Sequence, residues 1–143
     1  MSRSSVIAEA IAKRLNAQIP LKGVIAIAAR QKDLSSDLEI RVGKAGGGAI
    51  IVQYEGFSNP NANGSGNPTV IRNYTASIYT VPILRDDEIP ADDIEEFVAK
   101  KLHNWELAED LTGAVELSVK SSAVVPDKKY LIYQLDIEVI SRL

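Results

Sequence analysis

The sequence predicts an α+β fold, a mainly antiparallel β-sheet packed against two amphipathic helices in a single domain over residues 1–143. Three observations carry this. Apolar residues recur at helical spacing around Ile11 and again around Val98. Elsewhere they alternate with polar residues at strand spacing, and turn-forming residues separate the alternating segments in pairs.

Ser4 or Ser5 is placed to cap the first helix, because a short hydroxyl can accept from the unpartnered amides of a first turn. The helix stripe is Ile7, Ile11 and Leu15, flanked by Ala8 and Ala12; Glu9, Lys13 and Arg14 take the other side, and Pro20 ends it. Leu21 to Ala29 is rich in Val, Ile and Ala without clear alternation, which predicts a buried strand from about Val24. A loop over Lys32 to Asp37 leads to Leu38, Ile40 and Val42, which alternate with Glu39 and Arg41 as a short strand. Its partner is expected directly after Gly46, Gly47 and Gly48.

Ala49 to Phe57 is that partner, with Ile50, Val52 and Tyr54 on one face and Ile51, Gln53 and Glu55 on the other. Ser58 to Pro68 has almost no apolar surface to bury and many residues suited to turns and positive φ, so it reads as an exposed hairpin tip. Thr69 to Val81, carrying Val70, Ile71, Tyr74, Ile78 and Tyr79, then pairs antiparallel with the strand before the tip.

Pro82 and Asp86-Asp87-Glu88 interrupt the pattern, and Pro90-Ala91-Asp92-Asp93 supplies a turn, a cap and first-turn carboxylates for the second helix. That helix is expected to run to about Trp105, burying Ile94, Phe97, Val98, Leu102 and Trp105. After Gly113, Val115, Leu117 and Val119 alternate with Glu116, Ser118 and Lys120, as in a strand with one wet face. Pro126-Asp127-Lys128 turns it into a last strand, where Leu131, Tyr133, Leu135, Ile137 and Val139 alternate with Gln134, Asp136 and Glu138.

Composition narrows the function classes. A fold of 143 residues buries roughly 68% of its unfolded surface, enough for one core. A net charge of -3 and a pI near 5.2 argue against nonspecific or sequence-specific nucleic-acid binding, which needs clustered Lys and Arg. With no cysteine there is no disulfide framework and no thiolate metal site. Met1-Ser2-Arg3-Ser4-Ser5 leads into helical spacing instead of an apolar signal block, and the longest apolar run, Val24 to Ala29, is far short of the ~20 residues that cross a bilayer. Synthesis in the cytoplasm without membrane insertion is the expectation.

No catalytic motif stands out. The single histidine, His103, lies near the end of the second helix, where contact with the helix C-terminus accounts for it without catalysis. Gly43-Lys44-Ala45-Gly46-Gly47-Gly48 is not a phosphate loop, because Lys44 is followed by Ala45 and the glycines lead into a strand. Asp86, Asp87, Glu88, Asp92 and Asp93 lack the alternation and glycine of an EF-hand and suit a solvated loop and a helix cap better. The reading is a non-enzyme without metal or cofactor, whose wet strand faces (Gln53, Glu55, Gln134, Asp136, Glu138) and free sheet edges serve assembly.

In the order of its elements the chain resembles the tail terminator proteins of tailed phages, the family that includes the lambda minor tail protein U and the Mu-like tail proteins. The resemblance covers most of the chain and rests on Val6-Ile7-Ala8-Glu9-Ala10-Ile11-Ala12-Lys13-Arg14-Leu15, Ala49-Ile50-Ile51-Val52-Gln53-Tyr54-Glu55-Gly56, Ile94-Glu95-Glu96-Phe97-Val98 and the closing strand Tyr130 to Ile140. It implies a virion structural protein assembled in the host cytoplasm into a homohexameric ring. Such a ring caps the head-proximal end of the tail tube, ends its polymerisation and presents a surface to the neck or connector protein. In a contractile tail the sheath protein would be a further partner. The polar stretches are the contacts expected on this reading: Asn61, Asn63 and Gly64 at the hairpin tip, and Asp86, Asp87 and Glu88 before the second helix. A neck or head-completion connector, or the equivalent cap of a contractile injection particle, is the alternative.

Overall fold

A computed structural model describes residues 2–18, 24–28, 48–59, 69–80, 91–106, 114–128 and 130–142. Helix α1 (Arg3–Gln18) leads into the short strand β1 (Val24–Ala28), followed by β2 (Gly48–Ser58), β3 (Thr69–Thr80), helix α2 (Ala91–Leu102), β4 (Ala114–Val125) and β5 (Leu131–Arg142). The strands form one sheet in the order β1-β2-β3-β5-β4. All pairings are antiparallel except β1 with β2, which are parallel from Val24 opposite Gly48 to Ala28 opposite Val52. The described residues form an α+β fold, a five-stranded, mostly antiparallel sheet with two helices.

The two expected hairpins are present: β2 pairs with β3, and β4 with β5. β5 also inserts between β4 and β3, pairing with β3 without interruption from Thr69 opposite Arg142 to Thr80 opposite Leu131. The expected strand at Leu38 to Val42 and the loop over Lys32 to Asp37 lie outside the described residues. Over Gly48–Val52, the side of β2 not taken by β3 is held by β1.

Both helices lie on one face, because their apolar stripes match the apolar phase of the strands. Ile7, Ile11 and Leu15 of α1 and Ile94, Val98 and Leu102 of α2 are all but fully buried against Ile50, Val52, Tyr74, Ala76, Ile78, Leu117, Leu135, Ile137 and Val139. Each of those helix side chains contributes about 1.5–3 kcal/mol by leaving water.

The caps correct the sequence reading in two places. The N-cap of α1 is Ser2, whose Oγ accepts from the Ser5 amide at 3.2 Å, and not Ser4 or Ser5. Helix α2 stops at Leu102, before Trp105, because Asn104 takes a left-handed φ of 61°, the conformation that ends helices. Trp105 still packs on the core. The Arg14 guanidinium stacks over its ring at 4.7 Å and donates to the Lys101 carbonyl at 2.7 Å, which ties α1 to the end of α2.

Candidate functional site

Ser4, Arg72 and Ser141 are buried polar residues of the helix-covered face and are occupied in holding it together. Arg72 falls in the apolar phase of β3 and is only 5% exposed. It donates to the Oγ atoms of Ser4 in α1 and Ser141 in β5. The Tyr74 hydroxyl donates to the Ser4 carbonyl at 2.8 Å, and burial pushes its pKa well above the ordinary tyrosine value despite the opposing charge of Arg72. Ser4 is therefore the point where the first turn of α1 is pinned to the sheet. None of these groups is available for reaction chemistry.

Among the described residues no helix lies on the opposite face. At the β1–β2 side it is apolar, with Ala49 and Ile51 buried and Ile27, Tyr79 and Tyr130 packed beside them. Toward β4 it becomes a polar band. Thr75 donates to Glu55 at 3.1 Å, Ser121 donates to Asp136 at 3.1 Å, and Lys120 pairs with Glu138 at 3.6 Å. These side chains border a shallow hollow of about 260 Å³, with three carboxylates and one lysine around it. Among the described residues no group of His, Asp or Glu is placed to hold a metal ion.

The sheet edges divide into closed and open halves. On β1 the side chain of Asn16 acts as a one-residue strand, donating to the Ala26 carbonyl at 2.9 Å and accepting from the Ala26 amide at 2.8 Å. On β4 the chain leaving α2 closes the first half of the edge. Asn104 N–H donates to the Leu117 carbonyl, Leu117 N–H donates to the Trp105 carbonyl, and Val119 N–H donates to His103 Nδ1 at 3.2 Å. His103 sits just past α2, exposed, and its observed partner is the strand edge instead of the helix end expected from its position in the sequence.

Two segments have no such cover among the described residues. β1 flanks only the first half of β2 and leaves Gln53–Ser58 unpaired on that side. The outward side of β4 over residues 121–125 is likewise unpaired. Beside it, a second hollow of about 230 Å³ separates Glu95, Glu96 and Ala99 of α2 from Ser122. Large exposed apolar side chains stand at these segments, Tyr54 and Phe57 (54% exposed) on β2 and Val124 (57%) on β4, while exposed Ile140 lies on the interior strand β5.

The polar strand residues Gln53, Glu55, Gln134, Asp136 and Glu138 share the helix-free face, as their alternation required. Asn61, Asn63, Gly64, Asp86, Asp87 and Glu88 lie outside the described residues. Sequence reasoning missed Arg72, Ser4, Asn16 and the 121–125 edge. Arg72 left a signal, a charge at an apolar-phase position of β3, and Ser121-Ser122-Ala123-Val124-Val125 left another, an uncharged run between Lys120 and Pro126. No described helix is long and apolar enough to cross a membrane. No family model matches the chain, and neither does any curated protein.

Proposed function

We propose that this chain is a structural subunit of the tail-terminator type, forming a ring that caps the head-proximal end of a phage tail tube, stops tube growth and offers a surface for the neck protein. The observation that supports it best is the division of the sheet edges. Among the described residues, each side of the sheet is sealed over one stretch by the protein's own groups and left unpaired, beside exposed apolar side chains, over another. A domain that only had to stay monomeric would be expected to blunt its edges throughout. Sealing part and exposing part suits a subunit that joins others at defined places. On this reading the polar, helix-free face is a contact or lumen surface, no covalent chemistry is involved, and the self-contacts, the tube and the neck protein are the partners.

Electron microscopy of the purified protein, alone and mixed with tail-tube protein, tests it. Rings seated at one end of tubes of limited length are the expected result. A protein that neither rings nor binds tubes overturns the reading, and rings that ignore tubes while binding the head connector transfer it to the neck.

A further inference from the structure

We infer that the two open edge segments are the two halves of one interface: residues 121–125 of β4 in one copy add as an antiparallel strand to Gln53–Ser58 of β2 in the next. The inference rests on the ring reading only in taking a second copy as the occupant.

The sheet's own register argues for it. Ile50, Ile78, Tyr133 and Val124 form one row across β2, β3, β5 and β4; Tyr54, Tyr74, Ile137 and Val119 form another. Tyr54 and Val124 are therefore on the same, helix-covered side of the sheet, at opposite edges, and both are exposed. Placing Val124 of one copy opposite Tyr54 of the next keeps the pleat in phase through the join and sets Ser122 opposite Phe57. The extra residue at the β2 bulge, where the register shifts between Tyr54 and Gly56, falls opposite Ala123. A strand added this way gains main-chain hydrogen bonds and buries the exposed apolar side chains against one another.

The same register fixes the geometry of repetition. The join moves from the Val119 row to the Val124 row, so each copy is displaced by four residues for every four strands. A closed sheet whose stagger equals its strand number has strands tilted by about 36°, inside the range that barrels adopt. Head-to-tail repetition can therefore close without bending the strands out of their usual tilt. Among the described residues, the pairing of β1 with β2 runs as far as Ala28 opposite Val52 and leaves the slot beyond it unpaired.

The natural chain has no cysteine, which makes crosslinking clean. Tyr54→Cys and Val124→Cys introduced together, then oxidised at high protein concentration, should give a ladder of intermolecular disulfides ending at a closed species, since facing residues on adjacent strands meet the distance a disulfide needs. Adding Ser122→Lys, an exposed change, should lower the crosslinked fraction at least tenfold with an unchanged circular dichroism spectrum. Three results overturn the interface: no ladder, a ladder indifferent to Ser122→Lys, or efficient dimers from Val124→Cys alone, which would mean two-fold pairing of β4 with itself. Wild-type rings that cap tubes while the double variant stays uncrosslinked refute this interface and leave the terminator reading standing. A ladder from a protein that ignores tubes supports the interface and removes the terminator reading.

Discussion

The two faces of the sheet treat polar residues in opposite ways. On the helix-covered face Arg72, Tyr74, Ser4 and Ser141 are buried and bonded to one another, so each is a fixed part of the fold. On the helix-free face the exposed or half-buried Glu55, Lys120, Ser121, Asp136 and Glu138 make single contacts that border an open hollow. The difference teaches that the polar groups of one side are built into the fold and those bordering the hollow on the other are adaptable. A face whose polar groups stand ready to exchange partners can meet another molecule without the fold having to change.

Substitutions can break that contrast or sharpen it. The largest effect is expected from Leu15→Ala, which opens a cavity in the helix-covered face and should cost about 2–5 kcal/mol in chemical denaturation. Gly56→Ala comes next. The glycine has a φ of +110° with open space around its Cβ position, so the cost is backbone strain alone, about 1–2 kcal/mol by the same measurement.

Tyr74→Phe removes one buried hydrogen bond and should cost about 1–1.5 kcal/mol near neutral pH. It should also alter the alkaline limb of stability. Burial raises the pKa of Tyr74 in the folded state, so its contribution is complete below the unfolded value near 10 and is lost as pH climbs above that point. The unfolding free energy of the wild type should fall more steeply above about pH 10 than that of Tyr74→Phe. Equal slopes would show that this hydroxyl ionises in the folded protein as readily as in the unfolded chain.

Lys120→Ala on the helix-free face should change stability by no more than about 0.5 kcal/mol, because a half-exposed ion pair is screened. A loss as large as that of Leu15→Ala would abolish the distinction between the faces.

The helix-covered face was legible in the sequence because periodicity is a statement about burial. Ile7, Ile11, Leu15, Ile94, Val98 and Leu102 were all placed correctly by spacing, and both hairpins followed from alternation and turn residues. The edges were not legible. Which strand lies outermost depends on β5 entering between β3 and β4 and on β1 running parallel to β2, and neither pairing leaves a local pattern. Asn16 illustrates the limit: its role as a strand mimic needs Ala26 to face outward, a property of the assembled sheet. Ser2 was passed over as the cap because Ser4 and Ser5 offer the same chemistry a turn later, and only the docking of Ser4 onto Arg72 and Tyr74 separates them.

The insertion of β5 has a consequence for how the chain is made. β3 is the middle strand, yet its second neighbour comes from residues 131–142, long after β2 has covered its other side. During synthesis the full length of β3, from Thr69 to Thr80, stays bare on one side until the β4–β5 hairpin has emerged and slid into place. A nascent chain that has not yet reached Leu131 therefore exposes the twelve-residue edge of β3, a template for wrong pairing with another chain.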